Sequence, residues 1–182
     1  FWASGAAFFI RADWFRRAGG FDSMLFAHME EIDLCWRLKL LGQKIAYMPG
    51  SIVYHVGGGT LSKLSPTKTY LNFRNNLILL YKNLEPGNKL KILIIRFFLD
   101  YLAWLRFIAL FQFKHAFAVN RAHMSFLNGI STWKETKIKT SQDITQPKLK
   151  NLTGYYNGSI AADYFLRSKK YFSELLAKKI NL

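Results

Sequence analysis

The sequence predicts an α/β fold at its N-terminal end, followed by a helical C-terminal extension. Residues 1–65 alternate short strand-like and helix-like patterns, whereas residues 66–130 carry long helical patterns. Residues 131–182 combine a polar, lysine-rich stretch with an amphipathic helical pattern. A chain of 182 residues, 51% of them apolar, can bury a substantial core. We therefore predict a catalytic-type α/β region over 1–65 and two helical segments, 66–130 and 131–182.

The first segment reads as strand, helix, helix, strand and strand. Residues 5–11 (GAAFFIR) are a compact apolar run that predicts a buried strand. A helix is predicted next, with Asp13 as its N-cap and a stop at the glycine pair 19–20. EEIDLCWRLKLLG predicts a second helix, because its apolar residues recur at spacings of three and four and a glycine follows. KIAYMP and SIVYHV predict two short strands joined by a turn at residues 49–50.

The second segment is predicted to be helical throughout. A helix is expected from Pro66 to the next Pro-Gly pair, because proline suits the first helical turn. The long apolar run over 89–117 fails as an uninterrupted membrane span, since Arg96, Asp100 and Arg106 break it. Four of its charged residues fall in a narrow stripe on a helical wheel: Lys89, Arg96, Asp100 and Lys114. Three interpretations stay open: a helix buried by its neighbours, a helix in the membrane interface with basic residues toward lipid phosphates, or a true span.

The third segment begins with a stretch expected to be a mobile or surface-bound linker, because it is polar and lysine-rich. It ends in SIAADYFLRSKKYFSELLAKKI, which predicts an amphipathic helix. The apolar side of that helix is expected to consist of Ile160, Tyr164, Phe165, Phe172, Leu175 and Leu176.

Charge is distributed unevenly along the chain. The 26 Lys and Arg against 11 Asp and Glu give a net charge of +15. The three segments carry +2, +7 and +6 in order, so the last two provide the basicity. A basic surface favours phosphorylated ligands, an anionic membrane or nucleic acid. Nucleic acid is not predicted as a partner, because long aliphatic runs interrupt the basic residues and no nucleic-acid-binding signature is present.

The single cysteine, Cys35, excludes an internal disulfide and a multi-cysteine metal site. It lies in a predicted helix beside Trp36, which favours a reduced core thiol over a nucleophile. A cytoplasmic setting fits this composition.

Glu30, Glu31 and Asp33 form an acidic cluster at the start of the second predicted helix. The helix dipole stabilises acids at this position, so a structural role explains them. Clustered carboxylates also raise one another's pKa, and a carboxylate at a helix start can take a proton from a hydroxyl group. The residues alone leave both interpretations open.

His55 follows a strand-like run and precedes Gly57, Gly58 and Gly59. An isolated histidine is usually a packed or exposed side chain. Bare backbone amides at a strand end suit a phosphate, however, and an imidazole can complete a divalent-metal site built on carboxylates.

The order of these pieces carries a resemblance to a known family. SGAAFFIRADWFRRAGGFDSMLFAHMEEIDLCWRLKLLGQKIAYMPGSIVYHVGGGT resembles the C-terminal half of the catalytic domain of family 2 glycosyltransferases, the inverting enzymes of the GT-A fold. The bacterial rhamnosyltransferase-like group looks closest. The similarity rests on AGGFDSMLF, on EEIDLCWR and on the strand ending YHVG, and it covers roughly residues 1–85.

The resemblance implies roles for individual residues. The second acid of the family's acidic pair is its catalytic base, which points to Glu31, with Glu30 as second candidate. This sequence has Glu where the family usually has Asp. The strand-end histidine implies that His55 is a ligand of a divalent metal, Mg²⁺ or Mn²⁺. The expected substrate-binding residues are Trp2, Ser4, Gly5, Gly57 and Gly58, and the expected structural residues are Asp33 and Arg37.

The family also binds its nucleotide through an N-terminal half with a DxD motif, and these 182 residues contain neither. We therefore expect the acceptor-side half of a longer enzyme, inactive alone. The implied partners are a nucleoside-diphosphate sugar and a glycan or lipid-linked acceptor. The expected location is cytoplasmic, peripheral at the inner face of the plasma membrane. A membrane-surface binding or scaffolding module without catalysis is the alternative.

Overall fold

A computed structural model describes residues 2–55, 65–135 and 151–174. Over these ranges the chain forms seven α-helices and ends in a short 3₁₀ turn. The elements are α1 (Ala12–Arg17), α2 (Glu30–Leu40), α3 (Pro66–Asn83), α4 (Pro86–Ala109), α5 (Phe113–Asn128), α6 (Ile130–Glu135), α7 (Ile160–Phe165) and the 3₁₀ turn Phe172–Glu174.

The prediction of an α/β fold is wrong for the described residues, which contain helices and no strand or sheet. The three runs predicted as strands are irregular and largely exposed up to residue 55: Phe9 is 100% exposed and Tyr54 95%. A strand exists only when a neighbouring strand takes up its backbone hydrogen bonds. No described segment does so for these runs, and apolar, β-branched composition cannot replace a partner.

Both helices predicted in the first segment are present. α1 begins at Ala12, with Arg11 and not Asp13 at the N-cap, and Asp13 pairs with Arg11 at 3.0 Å. α2 spans Glu30–Leu40, with Gly42 at φ +77° just beyond it. Glycine suits that position because it carries no Cβ to clash in the left-handed region.

Helices α3, α4 and α5 pack together into the main helical unit. α3 begins at Pro66, as predicted, and Pro86 begins α4. The long run over 89–117 is not one helix, because α4 ends at Ala109 and the chain reverses through Phe111 at φ +58°. Six buried residues form the largest core cluster: Leu25, Leu77, Ile78, Leu93, Phe126 and Trp133.

The N-terminal segment and the later chain pack onto this unit through α2. Trp36 of α2 shares a core cluster with Leu79 and Leu84 around α3 and with Leu152. Lys39 Nζ also donates to the carbonyl oxygen of Thr153 at 2.9 Å. α2 is thus enclosed from both sides, and contacts cross residue 65.

The predicted C-terminal amphipathic helix is much shorter than its pattern. α7 covers six residues, and Tyr164 and Phe165 on it are 50% and 78% exposed. Leu175 and Leu176 lie outside the described residues, as does the predicted linker from residue 136 to 150. Of the helices the structure describes, none combines the length and apolarity needed to span a membrane.

Candidate active site at the start of helix α2

The acidic cluster lies where an irregular loop turns into α2. Glu30 and Glu31 are the first two residues of the helix, and Met29 is its N-cap at φ +75°. Phe26 and His28 in the same loop also have positive φ, +56° and +67°. Residues other than glycine rarely adopt this conformation. It costs about 1–3 kcal/mol per residue and persists only where the surrounding structure enforces it. A strained loop therefore positions the two glutamates.

A buried amide on α3 holds that loop in place. Asn75, with no exposed surface, places its side-chain nitrogen 2.6–2.8 Å from three carbonyl oxygens, those of Leu25, Ala27 and His28. Arg74 Nε donates to Asn75 Oδ1 at 2.9 Å, which orients the amide. Arg74 Nη2 donates to the carbonyl oxygen of Met24 at 2.9 Å. These bonds compensate the strained backbone by satisfying its buried carbonyl groups.

Within the part of the chain that the structure describes, three buried polar atoms at this site have no hydrogen-bond partner: Glu30 Oε2, Glu31 Oε2 and His28 Nε2. An unsatisfied buried polar atom costs about 1–3 kcal/mol, so such atoms are rare and cluster at functional sites. Burial raises the pKa of Glu30, and the neighbouring charge of Glu31 raises it further. The Glu30 carboxyl group is thereby shifted toward its protonated form relative to an ordinary glutamate.

Gly5 covers the Glu31 carboxyl group without blocking it. A Cβ placed on Gly5 would lie 3.6 Å from Cβ and from Cδ of Glu31. Gly5 itself is exposed, so the backbone that packs against the Glu31 side chain lies at the protein surface. Ser4 and Trp2 are also exposed, and Ser4 Oγ accepts from the Ala6 amide at 3.3 Å. Of the predicted substrate-binding residues, Gly5 is thus the one placed against Glu31 by a described contact.

Asp33 and Arg37 form a buried ion pair on the side of α2 that packs against α3. Both are buried, with Arg37 Nη2 2.7 Å from Asp33 Oδ2, and Arg37 also donates to the Ala18 carbonyl oxygen. The other oxygen of Asp33 accepts from Asn83 Nδ2 at 2.9 Å and lies 3.8 Å from Lys82 Nζ. The pair is enclosed because α3 packs over it and contributes Asn83 and Lys82 to its surroundings.

A second carboxylate stands in the same network. Lys82 pairs with Asp22, which lies in the turn before the loop. Burial by itself would raise the pKa of Asp22, but the Lys82 ammonium and the Met24 amide hold it below its ordinary value. Buried charges thus tie the first turn of α2 to α3, and Asn75 ties the preceding loop to α3.

His55 is not brought to this site by any described contact. It lies exposed at the end of the irregular run, and Gly57 and Gly58 fall outside the described residues. Among the residues that the structure describes, no group of three His, Cys, Asp or Glu is arranged to hold a metal ion. A site for Mg²⁺ or Mn²⁺ therefore stays a prediction from the resemblance.

A cavity of about 240 Å³ lies beside α2, lined mainly by apolar side chains that include Phe8, Trp14 and Leu38. Cys35 also lines it and accepts a weak hydrogen bond from the Ala3 amide, at 3.4 Å. Burial raises the pKa of the Cys35 thiol, so it stays protonated at neutral pH. This agrees with the predicted core thiol.

Sequence reasoning missed His28 and Asn75. His28 stands two residues before Glu30, and that proximity was the available signal. Asn75 lies 47 residues from His28 in sequence, so only folding shows that the two are in contact.

Comparison with known proteins shows a glycosyltransferase-like relationship over a short part of the chain. Rhamnosyltransferase WbbL of Escherichia coli K12 is 39% identical over 54 residues, which are 30% of this chain and 20% of that protein. The N-acetylglucosaminyl-diphospho-decaprenol L-rhamnosyltransferase of Mycobacterium tuberculosis is also 39% identical over 54 residues, 18% of its length. The match thus spans about a fifth of each relative. No protein-family model matches the chain, and no solved structure does.

Proposed function

We propose that this chain is the acceptor-side part of a family 2 glycosyltransferase that transfers a sugar from a nucleoside diphosphate to a hydroxyl group with inversion. The observation that carries the proposal is the carboxyl group of Glu31. Its Oε2 atom is buried and has no hydrogen-bond partner among the described residues, the Glu31 side chain packs against the exposed Gly5, and a strained loop that α3 holds in place presents it.

In the proposed reaction, Glu31 accepts the proton of the acceptor hydroxyl group. The hydroxyl oxygen attacks the anomeric carbon, and the bond from that carbon to the nucleoside diphosphate breaks with its electron pair on the leaving group. Glu30, the adjacent residue at the start of α2, is the second candidate for the same position. We assign no step to a metal ion.

The relatives' names suggest the substrate class. Both are rhamnosyltransferases, and the name of one specifies an N-acetylglucosaminyl-diphospho-decaprenol acceptor. We propose a rhamnosyl or related donor and a lipid-linked acceptor, used in cell-surface glycan synthesis at the inner face of the plasma membrane. The net charge of +15 supports binding of phosphorylated substrates at an anionic membrane.

The test is made in the gene product that contains these residues, with a panel of nucleoside-diphosphate sugars including a rhamnosyl donor. Glu31→Gln should lower kcat by about 10²–10⁴-fold, the usual contribution of a general base. Glu30→Gln is the matched control at the adjacent position and should retain most activity. Both variants keep the shape of the side chain, so circular dichroism should show unchanged helix content.

Wild-type turnover in Glu31→Gln together with loss in Glu30→Gln would move the base to Glu30. Activity kept in both variants would refute the proposed site. Absence of transfer from every donor would favour the alternative, a membrane-binding module without catalysis.

A further inference from the structure

Helix α4 buries a charged residue and exposes large apolar residues, unlike an ordinary surface helix. Its acid, Asp100, is 1% exposed and pairs with Arg96 of the same helix at 2.7 Å. His123 of α5 lies 3.0 Å from the other Asp100 oxygen. The charged stripe expected to meet lipid phosphates therefore faces the neighbouring helices at these positions.

The opposite side of α4 is apolar and open to solvent. Six large residues on it are 40–70% exposed, and we call them the outer face: Leu90, Ile94, Phe98, Tyr101, Leu102 and Leu105. Their spacings of three and four place them on one side of the helix. They span about 22 Å of helix at 1.5 Å per residue. Such an exposed apolar patch marks an interaction surface.

Exposed apolar side chains continue in the turn after α4 and at the start of α5. Phe111, Phe113 and Phe117 are 81%, 57% and 68% exposed. An aromatic ring suits the boundary between acyl chains and headgroups, where large apolar side chains of interfacial helices insert.

The exposed charged side chains of α4 and α5 are all positive. From residue 86 to 128 the sequence holds one acid, the buried Asp100. The exposed charged side chains of this stretch are cations: Lys91, Arg106, Lys114 and Arg121. Apolar residues flanked by cations alone match an anionic lipid surface, whose acyl region takes the apolar side chains while its phosphates pair with the cations. A folded protein partner would not require that all the exposed charges of α4 and α5 be positive.

We propose that the outer face of α4 inserts into the headgroup–acyl boundary of an anionic lipid bilayer. α4 lies along the membrane plane, and Arg96, Asp100 and His123 stay paired inside the protein. This proposal specifies which surface would bind the membrane at the location proposed above. It depends on the exposure and charge of α4 and α5, and not on sugar transfer.

The experiment measures co-sedimentation of the full chain with vesicles of phosphatidylcholine, with or without about one-third phosphatidylglycerol. Wild type should bind the anionic vesicles more tightly. Ile94→Gln/Phe98→Gln should weaken that binding about tenfold or more, since each apolar side chain withdrawn from lipid loses more than 1 kcal/mol. The matched control is Phe165→Gln/Leu166→Gln, at residues 78% and 83% exposed elsewhere on the surface, and it should bind like wild type.

A charge variant tests the exposed cations separately. Lys91→Glu/Arg106→Glu should weaken binding to anionic vesicles and leave binding to neutral vesicles unchanged. Since the altered residues are exposed, none of these variants should lower Tm appreciably.

Unchanged binding by Ile94→Gln/Phe98→Gln would overturn the proposal. So would a wild-type dimer, seen by light scattering, that this variant converts to monomer while vesicle binding is absent, because a second copy would then cover the face. Vesicle binding without sugar transfer would refute the proposed activity only, and transfer without vesicle binding would refute the outer face only.

Discussion

The side-chain nitrogen of Asn75 lies 2.8 Å from the carbonyl oxygen of His28, and this contact joins α3 to the loop that presents Glu30 and Glu31. The loop has three positive-φ residues, Phe26, His28 and Met29, and would relax without support. Asn75 is therefore a positioning residue: it touches no reacting group, but it sets the backbone from which the proposed base projects.

Asn75→Ala should lower the free energy of unfolding by about 1–3 kcal/mol, because it leaves buried carbonyl groups unsatisfied. It should also lower kcat at a temperature where the variant is fully folded, with KM for the donor changed less. Chemical denaturation and steady-state kinetics measure the two effects. Asn72→Ala, on the same helix, is the control and should change neither. Loss of stability with full kcat would leave Asn75 a merely structural residue.

Gly5→Ala should leave the stability of the fold unchanged and reduce access of the acceptor to Glu31. The added methyl group would lie 3.6 Å from Glu31 Cδ, an ordinary contact, so Tm should stay the same or rise slightly. The methyl group narrows the approach to the carboxyl group, and kcat/KM for the acceptor should fall about tenfold or more. Gly50→Ala is the control, since a Cβ there meets nothing within 4 Å. Equal activity in both variants would argue against an acceptor path past Gly5.

Asp33→Ala should be far more destabilising than Asp13→Ala. Asp33 and Arg37 are almost fully buried, and removing one partner of such a pair costs about 3–5 kcal/mol. The side chains of Arg11 and Asp13 are 78% and 46% exposed, and an exposed pair contributes about 0–1 kcal/mol. Urea denaturation of the two variants gives the comparison. Similar losses would show that the pair on α2 is not enclosed as described.

Glu30→Gln should stabilise the fold at neutral pH. The pKa of Glu30 is raised in the folded state, so its ionisation favours the unfolded chain once the pH exceeds the ordinary glutamate pKa. Glutamine cannot ionise, and the variant should therefore have the higher Tm at pH 7. The difference should shrink toward zero below about pH 4, where glutamate is protonated in both states. A difference in Tm independent of pH would contradict this explanation.

The sequence predicts local helical features well. The starts of α2 and α3, the ends marked by Gly42 and the glycine pair 19–20, and the reduced state of Cys35 follow from rules that act within a few residues. The strand predictions are wrong because a strand depends on residues that are distant in the sequence. Residues 5–11 and 51–55 have strand composition, but a strand needs a hydrogen-bonded neighbour, which composition cannot specify.

By itself, the sequence determined where acids meet a helix start and which motif order resembles glycosyltransferases. Tertiary structure alone decided what surrounds those acids: Asn75 comes to the loop from 47 residues away, and α3 encloses Asp33. It also decided that α4 turns Arg96 and Asp100 toward its neighbours and the outer face toward solvent. A helical pattern sorts residues onto two faces, but which face is buried depends on the helices packed against it.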